Sequence, residues 1–447
     1  MKYWFNSRGL RTSIHKSRIA LSAIAVAAGM VAGSATTIAA PPDSGCGASR
    51  WVGSWLMAPS DSLPLGDLAF TPTAAVYNQT YRIVLTPHLG GSTLRLHLSA
   101  RQSPLPFTFA SVTVAKQQDG PAIQPDTIRK VTFGGSDSVT AAAGSDLVSD
   151  PIALDFEAFE PLAVSIYVPG MSIMPTENVV GLSTSYYGAP GSGDHAYDAD
   201  GAALTLHTTS VLFATGMDVL APAEYSSVIA MGDSITTGYA GASYYEGPQD
   251  PAIVDRNLRY MDFLQRRFDA SGTPMVALHS AIWGNRVIRN ATIPHTGPGA
   301  GTRLQKDVID TAGVSDVIIA SGTNDLAFPP APTVEQLSAA YIELIDRLHA
   351  AGIRVHLATI PPSVRSWIAG GLAPFADPAR QQVNAWIRSQ TYSDTVIDFD
   401  AVLRDPNDPA AQRADLVSPT LVHPNPAGHR AMAEAIDIAT LQGSRCR

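Results

Sequence analysis

The sequence contains little cysteine, and basic residues are outnumbered by acidic ones. Only 2 cysteines occur in 447 residues, and 39 acidic residues face 30 basic ones. Two cysteines without neighbouring histidines exclude a structural zinc site of the usual Cys/His type. A formal net charge of −9 argues against a nucleic-acid-binding protein, which needs a concentrated basic surface. No H-E-x-x-H, Walker or G-x-S-x-G pattern is present, which argues against zinc proteases, P-loop enzymes and G-x-S-x-G hydrolases.

The composition that remains is that of a folded, loop-rich protein. Apolar residues make up 45% of the chain, and 36 glycines and 33 prolines are spread along it. This apolar fraction predicts a sizeable core, and the length suits two or three domains.

The first 40 residues have the composition of a secretory signal peptide. Residues 1–18 contain five basic residues and no acid, and an apolar run at 19–33 is followed by small residues up to Ala40. The run is shorter than the ~20 residues that span a bilayer, so we expect cleavage and no stable membrane insertion. The mature chain, with 25 basic and 39 acidic residues, has a net charge of −14. We expect it outside the cytoplasm, either secreted or periplasmic.

The two cysteines lie near opposite ends of the mature chain, at Cys46 and Cys446. In an exported protein such a pair predicts a disulfide bond, here one that joins the two ends. The alternative is two free thiols.

Residues 41–217 have the pattern of an all-β sandwich. Leu94, Leu96 and Leu98 alternate with polar residues, and further short β-rich runs are separated by glycine, proline and serine. We interpret the segment 218–227 as a linker to a second domain.

Residues 228–447 alternate between apolar runs and helical segments, which predicts a parallel sheet with helices on both faces. The five apolar runs are Val228–Met231, Met275–Leu278, Val317–Ala320, Val355–Ile360 and Val396–Phe399.

Three helix starts can be predicted in this half. Thr333 with Gln336 forms a capping box, Asp377–Pro378 combines a cap with proline in the first helical position, and Asn425–Pro426 begins the last helix.

Chemically active residue types follow the predicted strands. Gly232–Ile235 (GDSI) follows the first strand, Gly284 lies after the second, Gly322–Asp325 (GTND) follows the third, and His423 precedes the last helix. Ligands bind at the carboxyl edge of such sheets, so these loops are expected to converge there. A serine, a histidine and amide donors at one edge suit nucleophilic catalysis.

These four segments, in this order, resemble the SGNH/GDSL hydrolases, a family of serine-dependent esterases, lipases and deacetylases. The resemblance covers about residues 225–440 and implies a three-layer α/β/α fold, flavodoxin-like with a parallel sheet. The opening Trp51–Trp55 (WVGSW) resembles, more loosely, the β-sandwich accessory domain of secreted two-domain members.

The resemblance implies that Ser234 is the nucleophile and His423 its general base. A serine hydroxyl alone is a poor nucleophile, and the imidazole would take its proton during attack and return it to the leaving alcohol.

The resemblance also implies an oxyanion hole. Its donors would be the backbone N–H groups of Ser234 and Gly284 and the side-chain amide of Asn324. Asp233 and Asp325 are expected to brace the loops.

One position departs from the family pattern. The catalytic acid usually lies three residues before the histidine, in a D-x-x-H arrangement, and here that residue is Thr420. One hypothesis is a Ser234–His423 dyad whose imidazole is oriented by a backbone carbonyl near Thr420. The other is a triad whose acid comes from elsewhere, with Asp415 as the nearest candidate.

The sequence therefore predicts a secreted serine esterase that acts on small-molecule or polysaccharide esters with short acyl groups, without a cofactor or metal. One alternative is a lipase or phospholipase for longer chains. Another is a carbohydrate-binding protein whose hydrolase domain is inactive. No nucleic-acid partner is expected, and the oligomeric state is not predicted.

Overall fold

The first half of the chain forms antiparallel sheets, as the alternation of apolar and polar residues predicts. The computed structural model describes residues 47–60, 75–240, 250–290, 296–364, 372 and 374–444. The strands of the first half are β1 Ser49–Leu56, β2 Ala75–Leu85, β3 Gly91–Ser99, β4 Phe107–Phe109, β5 Ser111–Asp119, β6 Ala122–Ile123, β7 Arg129–Lys130, β8 Val139–Ala141, β9 Asp146–Val148, β10 Ile152–Phe156, β11 Leu162–Ile173, β12 Glu177–Asn178, β13 Ser185–Tyr187, β14 Leu206–Thr208, β15 Val211–Leu212 and β16 Ala214–Pro222.

Two of these sheets make up most of the sandwich. One has the order β1-β16-β3-β10 with β9 also on β3, and the other has the order β14-β13-β2-β11-β5-β6 with β7 also on β5. Leu94, Leu96 and Leu98 are at most 1% exposed, so the face predicted from their alternation is the buried one.

The second half is built on a parallel sheet with the order β18-β17-β19-β20-β21. Its strands are β17 Ser226–Gly232, β18 Met275–Ala281, β19 Val314–Ala320, β20 Arg354–Ala358 and β21 Thr395–Ile397, and the short hairpin β22 Arg404–Asp405 and β23 Asp408–Gln412 follows. Gly232 pairs with both Ala281 and Ala320, so three strands end at the same level of one sheet edge.

Helices cover both faces of this sheet. They are α1 Ser234–Thr237, α2 Tyr260–Ser271, α3 Ala300–Leu304, α4 Thr323–Ala327, α5 Val334–Ala350, α6 Asp377–Ser389, α7 Phe399–Leu403 and α8 Pro426–Glu434. Val228 and Ala230 of β17 pack in one apolar cluster with α2 and α8. Ile229 and Met231, which point the other way, pack in a second cluster with α5 and α6. The predicted three-layer α/β/α arrangement is confirmed.

Two of the three predicted helix starts are confirmed. Thr333 and Gln336 form the capping box of α5, and the Asn425 side chain accepts from the Gly428 N–H at the start of α8. The third of these helices, α6, begins one residue earlier than predicted, because Asp377 is its first residue and not its cap. The Asp377 carboxylate binds Arg380 at 2.6 Å.

Two strands occupy most of the segment 218–227, which the sequence pattern predicts to be a linker. β16 extends to Pro222 and β17 begins at Ser226, which leaves only a short turn between the halves. The backbone N–H of Gly53 in β1 donates to Ala312 O at 2.9 Å. One apolar cluster also includes residues of both halves. The boundaries at 41–217 and 228–447 stay a prediction, but a flexible tether does not separate the halves.

Three predictions concern residues outside the described part of the chain: the signal peptide at 1–40, Cys46 and Cys446. Within the described ranges, no helix is both long and apolar enough to cross a membrane.

Candidate active site

Ser234 lies in a sharp turn between β17 and α1. β17 ends at Gly232, and Asp233 caps α1 by accepting the Ile235 N–H at 3.0 Å. Ser234 is therefore the first residue of the helix, at the sheet edge where ligands bind in parallel α/β folds. Its side chain is nearly buried, with the residue 7% exposed.

The Ser234 hydroxyl forms a hydrogen bond with His423. The distance from Ser234 Oγ to His423 Nε2 is 2.8 Å. When the ring proton lies on Nδ1, Nε2 is unprotonated and accepts the hydrogen bond from the Ser234 hydroxyl. This is the tautomer that a general base needs.

Thr420 orients the other side of the imidazole with its side chain. Its Oγ1 lies 3.0 Å from His423 Nδ1 and also accepts the His423 backbone N–H at 3.1 Å. Oγ1 also forms a hydrogen bond with Ser418 Oγ at 2.8 Å. The acceptor is thus a hydroxyl, and the backbone carbonyl expected near Thr420 is not what contacts Nδ1.

Asp415 does not complete a triad in this structure. Its carboxylate binds the Arg413 guanidinium at 2.7 and 3.1 Å and its side chain is 63% exposed. That hydrogen bond lowers the pKa of Asp415, which is a surface carboxylate. Asp415 is close to His423 in the sequence, but its carboxylate faces solvent. Its backbone carbonyl is bound by the Asn425 amide.

Burial keeps His423 neutral. Desolvation, with a smaller contribution from nearby His429, lowers the pKa of His423 to about 3. A charged imidazole loses hydration in such a site, and among the described residues no carboxylate contacts Nδ1 to offset that loss.

Tyr239 packs against His423 and belongs to a buried apolar cluster with residues from both halves of the chain. The Tyr239 ring packs edge-on against the imidazole, with ring centroids 4.9 Å apart. Its centroid lies 6.2 Å from that of the Trp283 ring. Tyr239 carries no signal in the sequence, because an aromatic residue in a loop has no pattern of its own. The buried cluster to which it belongs comprises Val179, Val180, Leu182, Tyr239, Ala240, Ile253 and Trp283.

Gly284 lies in the loop that follows β18, with a φ of +73°. A Cβ at this position would collide with the Thr296 side chain, so both the conformation and the space favour glycine. The N–H groups of Gly284 and Ser234 donate to no acceptor among the described residues. Both groups are therefore available to a ligand.

The Asn324 amide is held in place by neighbouring loops. Its Nδ2 donates to Asn285 O at 3.0 Å and lies 3.4 Å from Asp233 Oδ2. The second contact is long, so it is the one that an anionic ligand would replace more easily.

The two aspartates brace the loops, as predicted. Asp325 accepts the N–H groups of Val287 and Ile288 at 2.8 and 3.1 Å and so fixes the chain just after Gly284. Burial raises the pKa of Asp325 to about 6. Burial also raises the pKa of Asp233 to about 7, opposed by the Ile235 N–H that its carboxylate accepts.

No group of three or more histidine, cysteine or acidic side chains is placed to bind a metal in the ranges that the structure describes. The arrangement of Ser234, His423 and three candidate donors suits attack on a carbonyl carbon and stabilisation of the resulting oxyanion.

Comparison with known proteins agrees with this chemistry. Residues 230–431 match the model of the GDSL-like lipase/acylhydrolase family. No curated protein sequence shows significant similarity to the chain.

Among solved structures, similarity is found to a carbohydrate esterase family 2 enzyme with a carbohydrate-binding domain from Corynascus thermopiles (Myceliophthora fergusii). It is 15% identical, with a TM-score of 0.35, and the match covers 87% of this chain and 96% of that one. A family two carbohydrate esterase from Cellvibrio japonicus is 13% identical with a TM-score of 0.33, over 86% of this chain and 95% of that one. Such TM-scores do not bear on function.

Proposed function

Residues 230–431 form a serine ester hydrolase domain of the GDSL-like lipase/acylhydrolase family, and from this premise we propose that the chain is an esterase for short acyl esters, acetyl esters included. The observation on which the proposal rests is the 2.8 Å hydrogen bond between Ser234 Oγ and His423 Nε2. A nucleophile already bonded to a neutral base needs no cofactor to attack an ester.

The reaction proceeds through an acyl-enzyme. His423 takes the Ser234 proton as Oγ attacks the carbonyl carbon, and the oxyanion accepts hydrogen bonds from the N–H groups of Ser234 and Gly284 and from the Asn324 amide. The imidazolium then protonates the leaving alcohol. Water, activated by the same imidazole, hydrolyses the acyl-enzyme.

The preference for short acyl groups is supported by the packing around the base. Tyr239, Trp283 and the sandwich residues Val179, Val180 and Leu182 are all at most 6% exposed. They belong to one buried cluster, and Tyr239 of that cluster packs against the His423 ring, so on the Tyr239 side the imidazole borders closely packed protein atoms. A small acyl group needs less space beside this packed cluster than a long acyl chain does.

The test is a series of p-nitrophenyl esters from acetate to dodecanoate with Ser234→Ala as the inactive variant. Ser226→Ala is the matched control, because Ser226 is a buried serine at the opposite end of β17. We expect the highest kcat/KM on acetate or butyrate and loss of turnover in Ser234→Ala only. A maximum at octanoate or longer would favour a lipase, and glycan binding without hydrolysis would favour the binding-protein alternative.

We further propose export of the protein with removal of residues 1–40. The basic segment followed by an apolar run and small residues supports this. Intact-mass measurement of protein recovered from the periplasm or medium tests it, and a mass that includes residues 1–40 would contradict it.

A further inference from the structure

A buried arginine, Arg303, joins three segments beneath the candidate site. Its Nε donates to Asn285 Oδ1 at 3.0 Å, its Nη1 to the carbonyl and hydroxyl of Ser280 at 3.0 and 2.7 Å, and its Nη2 to Gly232 O at 3.2 Å. The residue is 4% exposed. Its planar, forked donors are therefore used to tie the ends of β17 and β18 to the loop after β18.

Two of the residues that Arg303 binds, Gly232 and Asn285, lie next to candidate oxyanion donors. Gly232 is two residues before the nucleophile, whose N–H is one donor. Asn285 directly follows Gly284, and its carbonyl binds the Asn324 amide at 3.0 Å. A shift of the guanidinium would consequently move all three donors, and misplacement by about 1 Å can cost ~10²-fold in rate.

The carboxylate of Asp307 balances the charge of Arg303. The same carboxylate also pairs with an arginine of the β-sandwich, Arg101. Asp307 Oδ2 lies 3.4 Å from Arg303 Nη1, and Asp307 Oδ1 forms a close ion pair with Arg101, in the turn after β3. Burial raises the pKa of Asp307, and both arginines oppose that rise. Arg101 is itself held by Asp146 of β9 at 2.8 Å.

We propose that Arg303 is a positioning residue for the oxyanion donors and that Arg101 of the sandwich stabilises it through Asp307. Without Arg101, the buried Asp307 carboxylate keeps only one cationic partner, and it draws the Arg303 guanidinium away from Asn285 and Gly232. A buried charge that loses a partner reorganises its surroundings in this way because it can no longer be solvated. The inference rests on the proposed esterase function.

The test compares Arg101→Gln with Arg95→Gln. Arg95 is also a sandwich arginine in an ion pair, with Asp218 at 2.7 Å, and its side chain is 27% exposed against 19% for Arg101. We expect kcat of Arg101→Gln to fall about ten-fold or more with KM unchanged, whereas Arg95→Gln keeps the wild-type kcat. Arg101→Lys, which retains the charge opposite Asp307, should recover most of the rate.

A second measurement does not depend on turnover. A short alkyl boronic acid forms a tetrahedral adduct with a serine hydroxyl, and calorimetry gives its Kd directly. We expect the Kd of Arg101→Gln to rise about ten-fold, in parallel with the fall in kcat, and the Kd of Arg101→Lys to stay near the wild-type value. Two variants guard against failure of either one to fold, and circular dichroism checks both.

The two proposals can fail separately. If the wild-type protein hydrolyses no ester in a Ser234-dependent way, the esterase proposal fails, and boronic-acid affinity still decides the role of Arg101. If ester hydrolysis depends on Ser234 but Arg101→Gln matches Arg95→Gln in kcat and in boronic-acid Kd, the positioning role is overturned. A rise in KM alone would overturn it too.

Discussion

Thr420 gives His423 an acceptor but no negative charge. Its hydroxyl lies 3.0 Å from Nδ1 and can accept the Nδ1–H hydrogen bond of the tautomer in which Nε2 is free. A carboxylate at this place would also stabilise the imidazolium that forms during attack, and a hydroxyl stabilises it less. Thr420 thus orients the His423 ring, but it raises the proton affinity of the ring less than a carboxylate would.

This arrangement predicts an unusual pH profile. Because burial lowers the pKa of His423 to about 3, the base stays neutral as the pH falls below 6.5, and kcat/KM should decline only well below that value. In Thr420→Asp the new carboxylate faces Nδ1 and favours the charged ring, so the acid limb should move up by about one to three pH units. The measurement is kcat/KM against pH for both proteins.

Asp415→Asn is the control for that experiment, because it removes a carboxylate that is bound to Arg413 at the surface. It should leave the acid limb and kcat unchanged. A loss of ~10⁴ in this variant would indicate a true triad acid. If kcat/KM of the wild-type protein already declines at pH 6.5 or above, His423 is not a buried base with a lowered pKa.

At the scale of elements, the loop after β18 determines where the Gly284 N–H points. Positive φ at Gly284, the Asp325 bonds to Val287 and Ile288, and Asn285 with its bonds to Arg303 fix successive residues of this loop. A loop held at so many points can present a backbone donor as rigidly as a helix does.

We predict that Gly284→Ala lowers kcat about 10²–10³-fold, the cost of losing one oxyanion donor. The new methyl group would meet the Thr296 side chain and displace the loop. Gly272→Ala is the matched control, since Gly272 has a φ of +65° but no atom within 4 Å of the added carbon. It shares the backbone strain without the collision, so its kcat should stay at the wild-type value. Equal losses of kcat in both variants would refute the proposed role of the loop.

The elements of the second half were largely accessible from the sequence. Continuous apolar runs such as Val228–Met231, alternating with helical segments, indicate strands that are buried on both faces of a parallel sheet. Ser234 was expected just after a strand and His423 just before the last helix, and the structure brings those two side chains together.

Other features had no local signal. Arg303 binds partners up to 71 residues away in the chain, and no spacing rule connects such positions. The segment 218–227 was interpreted as a linker because the sequence pattern changes there from β-rich to alternating strands and helices. Its first residues belong to β16, which pairs with β1, about 170 positions earlier in the chain. The Thr420 hydroxyl was overlooked because the expected alternative to a carboxylate was a carbonyl.

For the whole molecule, the two ends of the described chain meet at Ala223. Its N–H donates to Ala48 O at 3.3 Å, and its carbonyl accepts from Ser444 Oγ at 2.9 Å. These residues lie two positions from Cys46 and Cys446 in the sequence. The proximity supports the proposed disulfide, although both cysteines lie outside the described residues.

We predict that the exported protein, denatured without reductant, has no titratable thiol and gains two on reduction. Cys46→Ser should lower the free energy of unfolding by up to about 5 kcal/mol, because a bond that closes so long a loop restricts the unfolded chain. The double variant with Cys446→Ser should be no less stable than the single one. Two free thiols in the untreated protein would refute the disulfide.

The contacts between Gly53 and Ala312, and between Arg101 and Asp307, have a consequence for inheritance and engineering. A sandwich attached by a tether could be exchanged for another fold at little cost to the enzyme. Here a replacement would have to supply a glycine for the close approach, since a Cβ at Gly53 would lie 2.8 Å from the Leu278 side chain, and a cation opposite a buried carboxylate. The two halves are therefore expected to be transmitted, recombined and redesigned as one piece.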